Sequence, residues 1–163
     1  MKNLIYSGLS MLLLAASSPA MAMPINYEAT PKPQQIALPV NVPHITNSGV
    51  RNNTHFIRVA VVGMSLEDIM IALPSQMERF QEVKIRDKSG RDIAAKTELT
   101  NERLSITFDQ PITSGNSLEV QFTGVQARTS SGRILLYGVT AKRTGLEGEI
   151  PVGTARVDIP DKS

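Results

Sequence analysis

Apolar and polar residues alternate with a period of two in short segments from His55 onward. The apolar residues that share one face of a segment are Ile57, Val59 and Val61; Val83 and Ile85; Leu104, Ile106 and Phe108; Leu118, Val120 and Phe122; and Ala155, Val157 and Ile159. This period is typical of β-strands that bury one face. Seven or eight such strands without a long helical segment predict an all-β fold, either an antiparallel sandwich or a small barrel. Of the two, we favour an immunoglobulin-like β-sandwich.

Two further segments have less regular patterns. Ile134–Ala141 (ILLYGVTA) is more continuously apolar, which predicts a central strand buried on both faces. Ser65–Leu73 (SLEDIMIAL) has apolar residues at both helical and alternating spacing. Because the neighbouring segments are strands, we favour a turn at Ser65–Asp68 followed by a strand.

The first 22 residues have the three parts of a secretory signal peptide. Lys2 provides the positive charge, Leu9–Ala16 the apolar region, and Ala20-Met21-Ala22 an A-x-A cleavage pattern. We therefore expect cleavage after Ala22 and export to the periplasm or the extracellular medium. The apolar region is too short to span a bilayer, so no membrane insertion is expected after cleavage.

The sequence predicts two regions after the signal peptide. Residues 23–54 form a Pro-rich extended arm, because proline fixes φ and removes a hydrogen-bond donor. Its prolines are Pro24, Pro31, Pro33, Pro39 and Pro43. Within the arm, Gln35–Leu38 could add an edge strand to the sandwich. Residues 55–163 form the sandwich domain itself.

The charge balance argues against nucleic acid as a partner. Without Lys2, 16 of the 17 Lys and Arg residues remain against 15 Asp and Glu. A nucleic-acid-binding protein normally carries a basic stripe interleaved with aromatic residues. The expected partner is an unknown envelope protein or an anionic polysaccharide.

Residues for nucleophilic catalysis are scarce. The sequence has no Cys and no G-x-S-x-G motif, and its two histidines are His44 and His55. We interpret both as surface or edge residues, because neither lies in a segment that promises a rigid pocket. No catalytic residue, metal site or cofactor is predicted.

Two alternative functions have candidate residues. Met64, Met70 and Met77 with the two histidines could bind copper in an exported carrier, although these methionines are scattered. Glu147 and Glu149 could act as the carboxylate pair of a hydrolase of envelope glycans. The simpler interpretation of the two glutamates is a solvated loop.

A third set of charged residues could bind an anionic partner. The basic residues Arg128, Arg133, Lys142 and Arg143 surround the penultimate strand and form a candidate binding patch. Charges at strand ends and edges also prevent sheets from pairing with one another, and this role competes with binding.

Turn residues explain two other polar stretches. Asp109-Gln110-Pro111 and Ser114-Gly115-Asn116 predict a hairpin-like connection between two strands. Asp87–Asp92 has too few alternating acids for a calcium loop and predicts a tight turn. Asn52-Asn53-Thr54 matches the sequon for N-glycosylation.

Several motifs together resemble a known family. They are SITFDQPITSGNSLEVQFTGV, LLYGVTA and GLEGEIPVGTARVDI within Leu104–Ile159. This set resembles a family of exported, mostly cyanobacterial proteins of unknown function, the domain of unknown function 2808 type. A weaker match covers Phe56–Ile93, so the resemblance spans about two-thirds of the chain. It implies export and a sandwich-like fold, and it brings no catalytic residues.

The sequence therefore predicts an exported, non-enzymatic binding or structural protein of the periplasm or cell envelope. The arm or an exposed sheet edge could recruit a partner by strand addition. The identity of the ligand and the oligomeric state stay open.

Overall fold

The fold consists of two main antiparallel sheets that face each other. The computed structural model describes residues 41–100, 102–128 and 133–160. Its strands are β1 (His44–Arg51), β2 (Thr54–Ala60), β3 (Leu66–Ala72), β4 (Met77–Arg79), β5 (Glu82–Asp87), β6 (Ala95–Leu99), β7 (Arg103–Ile112), β8 (Ser117–Thr123), β9 (Gln126–Ala127), β10 (Ile134–Arg143) and β11 (Glu149–Asp158).

The strand order defines the two layers. Sheet A has the order β1-β2-β8-β5, sheet B has the order β11-β10-β3-β7-β6, and β4 pairs with β9. The predicted all-β, antiparallel, immunoglobulin-like sandwich is confirmed, and the predicted strand number is close to that of the two main sheets. Within the described ranges, no helix is long and apolar enough to cross a membrane.

Alternate residues of both sheets form the core, as the period of two predicts. In sheet A the buried side chains include Ile57, Val59, Leu118, Val120 and Phe122. In sheet B they include Ile69, Ile71, Leu104, Ile106, Leu135, Tyr137 and Val157. Burial of such side chains contributes roughly 1.5–3 kcal/mol each before the cost of chain entropy. The outward faces of both sheets carry mostly polar residues, together with some apolar ones such as Leu136.

An aromatic cluster joins the two sheets across the core. The ring of Tyr137 in β10 stacks on that of Phe122 in β8, with centroids 5.5 Å apart. Phe80 contacts Phe122 edge-on at 5.4 Å. Such contacts add about 0.5–1.5 kcal/mol to the burial of the rings.

The sandwich begins earlier in the chain than residue 55. β1 lies within the predicted arm and pairs along its length with β2. Asn52 and Asn53 connect the two strands with φ of 49° and 59°. This is the left-handed geometry of a two-residue hairpin loop, which asparagine tolerates. The boundary predicted between residues 54 and 55 is therefore wrong, because the sandwich already includes β1 from His44. The described residues all fall in one compact unit, Ala37–Ser163.

The predictions for the two segments with less regular patterns, Ser65–Leu73 and Ile134–Ala141, compare differently with the structure. The strand favoured within Ser65–Leu73 is confirmed, since β3 pairs with β7 and β10 on its two sides. The turn expected at Ser65–Asp68 is wrong, because β3 already begins at Leu66. The burial of Ile134–Ala141 on both faces is wrong, because Leu136 is 54% exposed on the outer face of sheet B. No further layer covers that face among the described residues.

The predicted hairpin between Phe108 and Leu118 is also wrong. Asp109-Gln110-Pro111 belong to the end of β7 in sheet B, whereas β8 lies in sheet A. The chain therefore crosses between the sheets at residues 113–116. The turn chemistry is still as expected, because Gly115 has a φ of 86° and Asn116 Nδ2 donates to Thr113 Oγ1 at 2.6 Å.

Two other predictions lie outside the described residues. They are the signal peptide with its cleavage after Ala22, and the edge strand at Gln35–Leu38.

Adjacent leucines of β10 test the burial pattern. Leu135 is fully buried in the core, and its neighbour Leu136 points outward. We expect Leu135→Ala to lower the free energy of unfolding by about 2–5 kcal/mol, because it leaves a cavity. The matched variant Leu136→Ala should change it by less than about 0.5 kcal/mol. Urea denaturation of both variants measures this, and equal costs would contradict the alternation of faces in β10.

Candidate functional site

The predicted basic patch does not assemble. Arg133 precedes β10 and Lys142 lies near its other end. Since a strand rises about 3.3 Å per residue, the two positions are separated by roughly 30 Å. Strand β10 thus separates Arg133 at one end from Lys142 and Arg143 at the other.

Three cations of the patch, Arg128, Lys142 and Arg143, contact acceptors in neighbouring segments. Arg128 Nε lies 3.5 Å from Glu78 Oε1, and Lys142 Nζ lies 3.4 Å from Glu67 Oε2. Arg143 Nη2 donates to the carbonyl oxygen of Asn41 at 3.1 Å. These contacts tie strand ends to neighbouring segments.

A different basic site lies on the outer face of sheet A. The register of β2, β8 and β5 places Arg58, Glu119 and Arg86 side by side in one row. The next row across the same strands contains Phe56, Gln121 and Lys84. All six side chains share the outer face because they alternate with the core residues of these strands.

Except for Lys84, the residues of these rows line a groove. A cleft of about 320 Å³ is lined by four cations, Arg51, Arg58, Arg86 and Lys88, and by Asp87, Gly90, Ser117, Leu118, Glu119 and Gln121. A neighbouring cleft of about 230 Å³ shares Arg51, Arg86, Glu119 and Gln121 and reaches Phe56. We call the combined depression the sheet-A groove.

Glu119 is the central acid of the sheet-A groove, and it is buried and paired. Arg58 Nη2 donates to Glu119 Oε2 at 2.6 Å, and Gln121 Nε2 donates to Glu119 Oε1 at 2.6 Å. Burial opposes ionisation of Glu119, but these hydrogen bonds and the charges of Arg58 and Arg51 outweigh it and lower its pKa. Glu119 therefore stays ionised, and its negative charge pairs with Arg58.

Arg51 forms one wall of the groove. Its guanidinium carbon lies 4.5 Å from the centroid of the Phe56 ring. This cation–π contact orients Arg51 without neutralising its charge. The Asn52–Asn53 loop holds the residue at the end of β1.

The opposite wall is the turn after β5. The tight turn predicted at Asp87–Asp92 is confirmed, since Asp87 Oδ1 accepts from the backbone N–H groups of Ser89 at 2.7 Å and Arg91 at 3.0 Å. Burial acts to raise the pKa of Asp87, but the hydrogen bonds and the charge of Arg91 have the larger effect. The pKa of Asp87 is therefore lowered. Asp87 is thus occupied within the turn, which carries Lys88 at its exposed tip. No acidic partner of Lys88 occurs in the part of the chain that the structure describes.

His55 lies in the core, so its interpretation as a surface or edge residue is wrong. It is 3% exposed, and its Nδ1 lies 2.6 Å from the hydroxyl oxygen of Tyr137. Burial lowers the pKa of His55 to about 4, and burial raises the pKa of Tyr137. Both groups are therefore neutral near pH 7, and the hydroxyl can donate to the imidazole.

The residues proposed for copper lie on different faces. His55 is between the sheets, whereas Met70 pairs with Thr140 and Ser105 on the outer face of sheet B. Met64 is exposed, and His44 Nδ1 contacts the carbonyl oxygen of Val42 at 3.0 Å. Within the described residues, no group of three or more His, Cys, Asp or Glu could hold a metal ion.

The two candidate hydrolase acids have unlike surroundings. Glu149 Oε2 accepts hydrogen bonds from Thr140 Oγ1 at 2.6 Å and from Arg103 Nη2. Glu147 lies in the exposed segment that precedes β11. Glu149 therefore links β11, β10 and β7 across sheet B.

Sequence reasoning missed the sheet-A groove for an identifiable reason. The same alternation that marks Val83 and Ile85 as buried marks Lys84 and Arg86 as outward-facing. It likewise places His55 inward, on the face of Ile57. The alternation alone does not say which strands are neighbours, and that information is needed to bring Arg58 and Arg86 to Glu119.

Comparisons with known proteins give fold-level similarity only. No protein-family model matches the chain, and no curated protein sequence matches it. The resemblance to the exported family thus stays a prediction.

Several solved structures have similar folds. The collagen-binding domain of a Staphylococcus aureus adhesin is 9% identical over 71% of this chain and 96% of that chain, with a TM-score of 0.41. The bacterial hydrophobin BslA is 11% identical over 75% and 93%, with a TM-score of 0.41. The collagen-binding subdomain of the Enterococcus faecalis surface protein ACE is 14% identical over 68% and 92%, with a TM-score of 0.40. At these values the similarities carry no argument about ligands.

Burial of His55 predicts a pH-dependent stability. The pKa of His55 falls from its ordinary 6.5 to about 4 in the folded chain. Between these values the unfolded chain binds a proton that the folded chain does not, so stability falls as the pH falls through this window. We expect a loss on the order of 2 kcal/mol from this residue.

Urea denaturation between pH 7 and pH 4 measures that loss. His55→Gln removes the titration and keeps a hydrogen-bond acceptor for Tyr137, so the pH dependence should flatten relative to the wild type. His44→Gln is the matched control and should leave it unchanged. A His55→Gln variant with the wild-type slope would show that His55 is not buried in its neutral form.

Proposed function

We propose that this chain is an exported, non-enzymatic binding protein that holds an acidic polysaccharide in the sheet-A groove. The observation that carries the proposal is the convergence of Arg51, Arg58, Arg86 and Lys88 on one cleft. Its lining acids, Asp87 and Glu119, are already paired with arginines. Glu119 compensates Arg58, and Arg86 Nε lies 3.1 Å from Asp92 Oδ1, so Arg51 and Lys88 supply the positive charge that no described acid pairs with directly. This charge lies in a chain whose overall charge is nearly balanced.

The chemistry of the groove fits carboxylated sugars. Arginine pairs with carboxylates through two parallel hydrogen bonds, which supplies both charge and direction. The hydroxyl of Ser117 and the side-chain carbonyl oxygen of Gln121, both in the cleft lining, offer hydrogen-bond partners suited to sugar hydroxyls. Two joined clefts along one face suit several successive sugar units better than a single small anion.

Other anionic partners fit less well. The groove offers only the buried ring of Phe56 as an aromatic surface, and single-stranded nucleic acid needs rings on which bases stack. An acidic protein would also meet the cations, but protein interfaces normally centre on a large apolar or aromatic anchor. In the part of the chain that the structure describes, none of the exposed large hydrophobic residues lines the sheet-A groove.

The export part of the proposal depends on the predicted signal peptide and on the chain's resemblance to exported proteins. Because an exported protein meets envelope and extracellular polymers, that compartment supports an acidic polysaccharide as the partner.

Binding to a polyuronate tests the proposal. We expect the purified protein to be retained on immobilised polygalacturonate at low salt and to be released as ionic strength rises, because salt screens the charge pairs. Neutral dextran should retain nothing. The double variant Arg86→Gln with Lys88→Gln should weaken binding at least about tenfold, since charged hydrogen bonds contribute about 1.5–3 kcal/mol.

A matched control separates the groove from bulk charge. Arg128→Gln with Lys142→Gln removes the same charge at the residues of the divided patch, and it should bind as the wild type does. Equal weakening by both double variants would mean that only net charge matters. Full retention of the Arg86→Gln and Lys88→Gln variant would rule out the groove.

A further inference from the structure

Strand β6 forms one edge of sheet B, and no described strand other than β7 pairs with it. At the other edge of sheet B, Ser48 Oγ of β1 donates to the carbonyl oxygen of Arg156 in β11 at 2.8 Å, so these two edges lie together. The edge of β5 is partly covered by the segment that follows it, through Ile93 N–H and the carbonyl oxygen of Ile85 at 2.8 Å. Among the described strands, β6 pairs only with β7.

The hydrogen bonds to β7 show which backbone groups of β6 are free. Thr100 N–H donates to Arg103 at 2.8 Å, and Asp109 N–H donates to Ala94 at 3.1 Å. In an antiparallel pair, hydrogen-bonded and non-hydrogen-bonded positions alternate. The even-numbered residues of β6 therefore face β7, and Ala95, Thr97 and Leu99 direct their N–H and C=O groups toward the free edge.

From this arrangement we infer that β6 is a self-association edge, which pairs antiparallel with β6 of a second copy of the chain. A two-fold axis at Thr97 would pair Thr97 with its own counterpart, and Ala95 with Leu99 of the other copy. Each of these pairs uses backbone groups that β7 leaves free. The result is one continuous sheet across two protomers, joined by the same patch on each.

The charges on β6 select this register. Opposite Lys96 lies Glu98 of the second copy, and the reverse pair forms at the other end. Shifting the axis to Lys96 would place lysine against lysine, and shifting it to Glu98 would place glutamate against glutamate. Like charges directly opposite each other are destabilising, whereas opposite charges contribute to pairing.

Two further observations fit a second copy. Leu99 is 58% exposed, and in this register it lies against Ala95 of the other protomer. Neither Lys96 nor Glu98 has an ion-pair partner among the residues that the structure describes. Both side chains are therefore available for contacts between protomers.

Variants that reverse the charges on β6 test the inference without any ligand. Analytical ultracentrifugation of the purified protein should show a concentration-dependent monomer–dimer equilibrium. Lys96→Glu and Glu98→Lys should each weaken dimerisation about tenfold, because each change puts like charges opposite each other at both ends. The double variant with both changes restores opposite charges and should dimerise as the wild type does.

A mixing experiment gives the most specific result. The Lys96→Glu and Glu98→Lys variants should form a dimer with each other, since every cross-strand pair is then of opposite charge. Thr97→Pro removes an outward N–H and should abolish association, with circular dichroism checking that the fold persists. Lys142→Glu, away from β6, should leave the equilibrium unchanged.

The inference is independent of polysaccharide binding. It is overturned if the wild type stays monomeric at millimolar concentration. It is equally overturned if a dimer forms but responds neither to the single changes nor to their combination.

Discussion

The buried contact between Tyr137 and His55 is the interaction on which the two-layer arrangement depends most directly. Tyr137 comes from sheet B and His55 from sheet A, and the hydroxyl and imidazole meet at 2.6 Å in an otherwise apolar core. A buried polar group without a partner costs about 1–3 kcal/mol. The two groups therefore satisfy each other only when the sheets face each other in this alignment, whereas apolar contacts alone would tolerate small shifts.

The strand register within sheet A determines which side chains meet on its outer surface. A shift of one residue between β2 and β8 would exchange inward and outward side chains, which the core forbids. The allowed register sets Arg58 and Arg86 on either side of Glu119. An acid buried between two arginines stays ionised and holds one of them in place. The sheet-A groove thus results from the same constraint that builds the core.

The sheet edges show how the remaining backbone groups are satisfied. β1 lies against β11, and the turn after β5 folds back on its own strand. Within the described part of the chain, β6 has backbone N–H and C=O groups on its outer side that pair with no other strand. Lysine and glutamate on an edge strand often keep other strands away. On β6, Lys96 and Glu98 lie on either side of Thr97, so the strand is complementary in charge to a second copy of itself. The same two residues can therefore disfavour pairing with other strands and favour pairing with β6 of a second copy.

The sequence by itself determined the fold class and most of the core, because the period of two is a local property that burial on one face imposes. It also identified the turn at Asp87–Asp92, since Asp and Gly have intrinsic turn preferences. It placed the start of the sandwich too late, because β1 has a weak apolar pattern and its signal is the Asn52–Asn53 loop. Only the tertiary structure decided that Arg133 and Lys142 are far apart and that Arg58 and Arg86 are close. Proximity between strands depends on sheet order and register, which arise from contacts between distant parts of the chain and leave no local pattern in it.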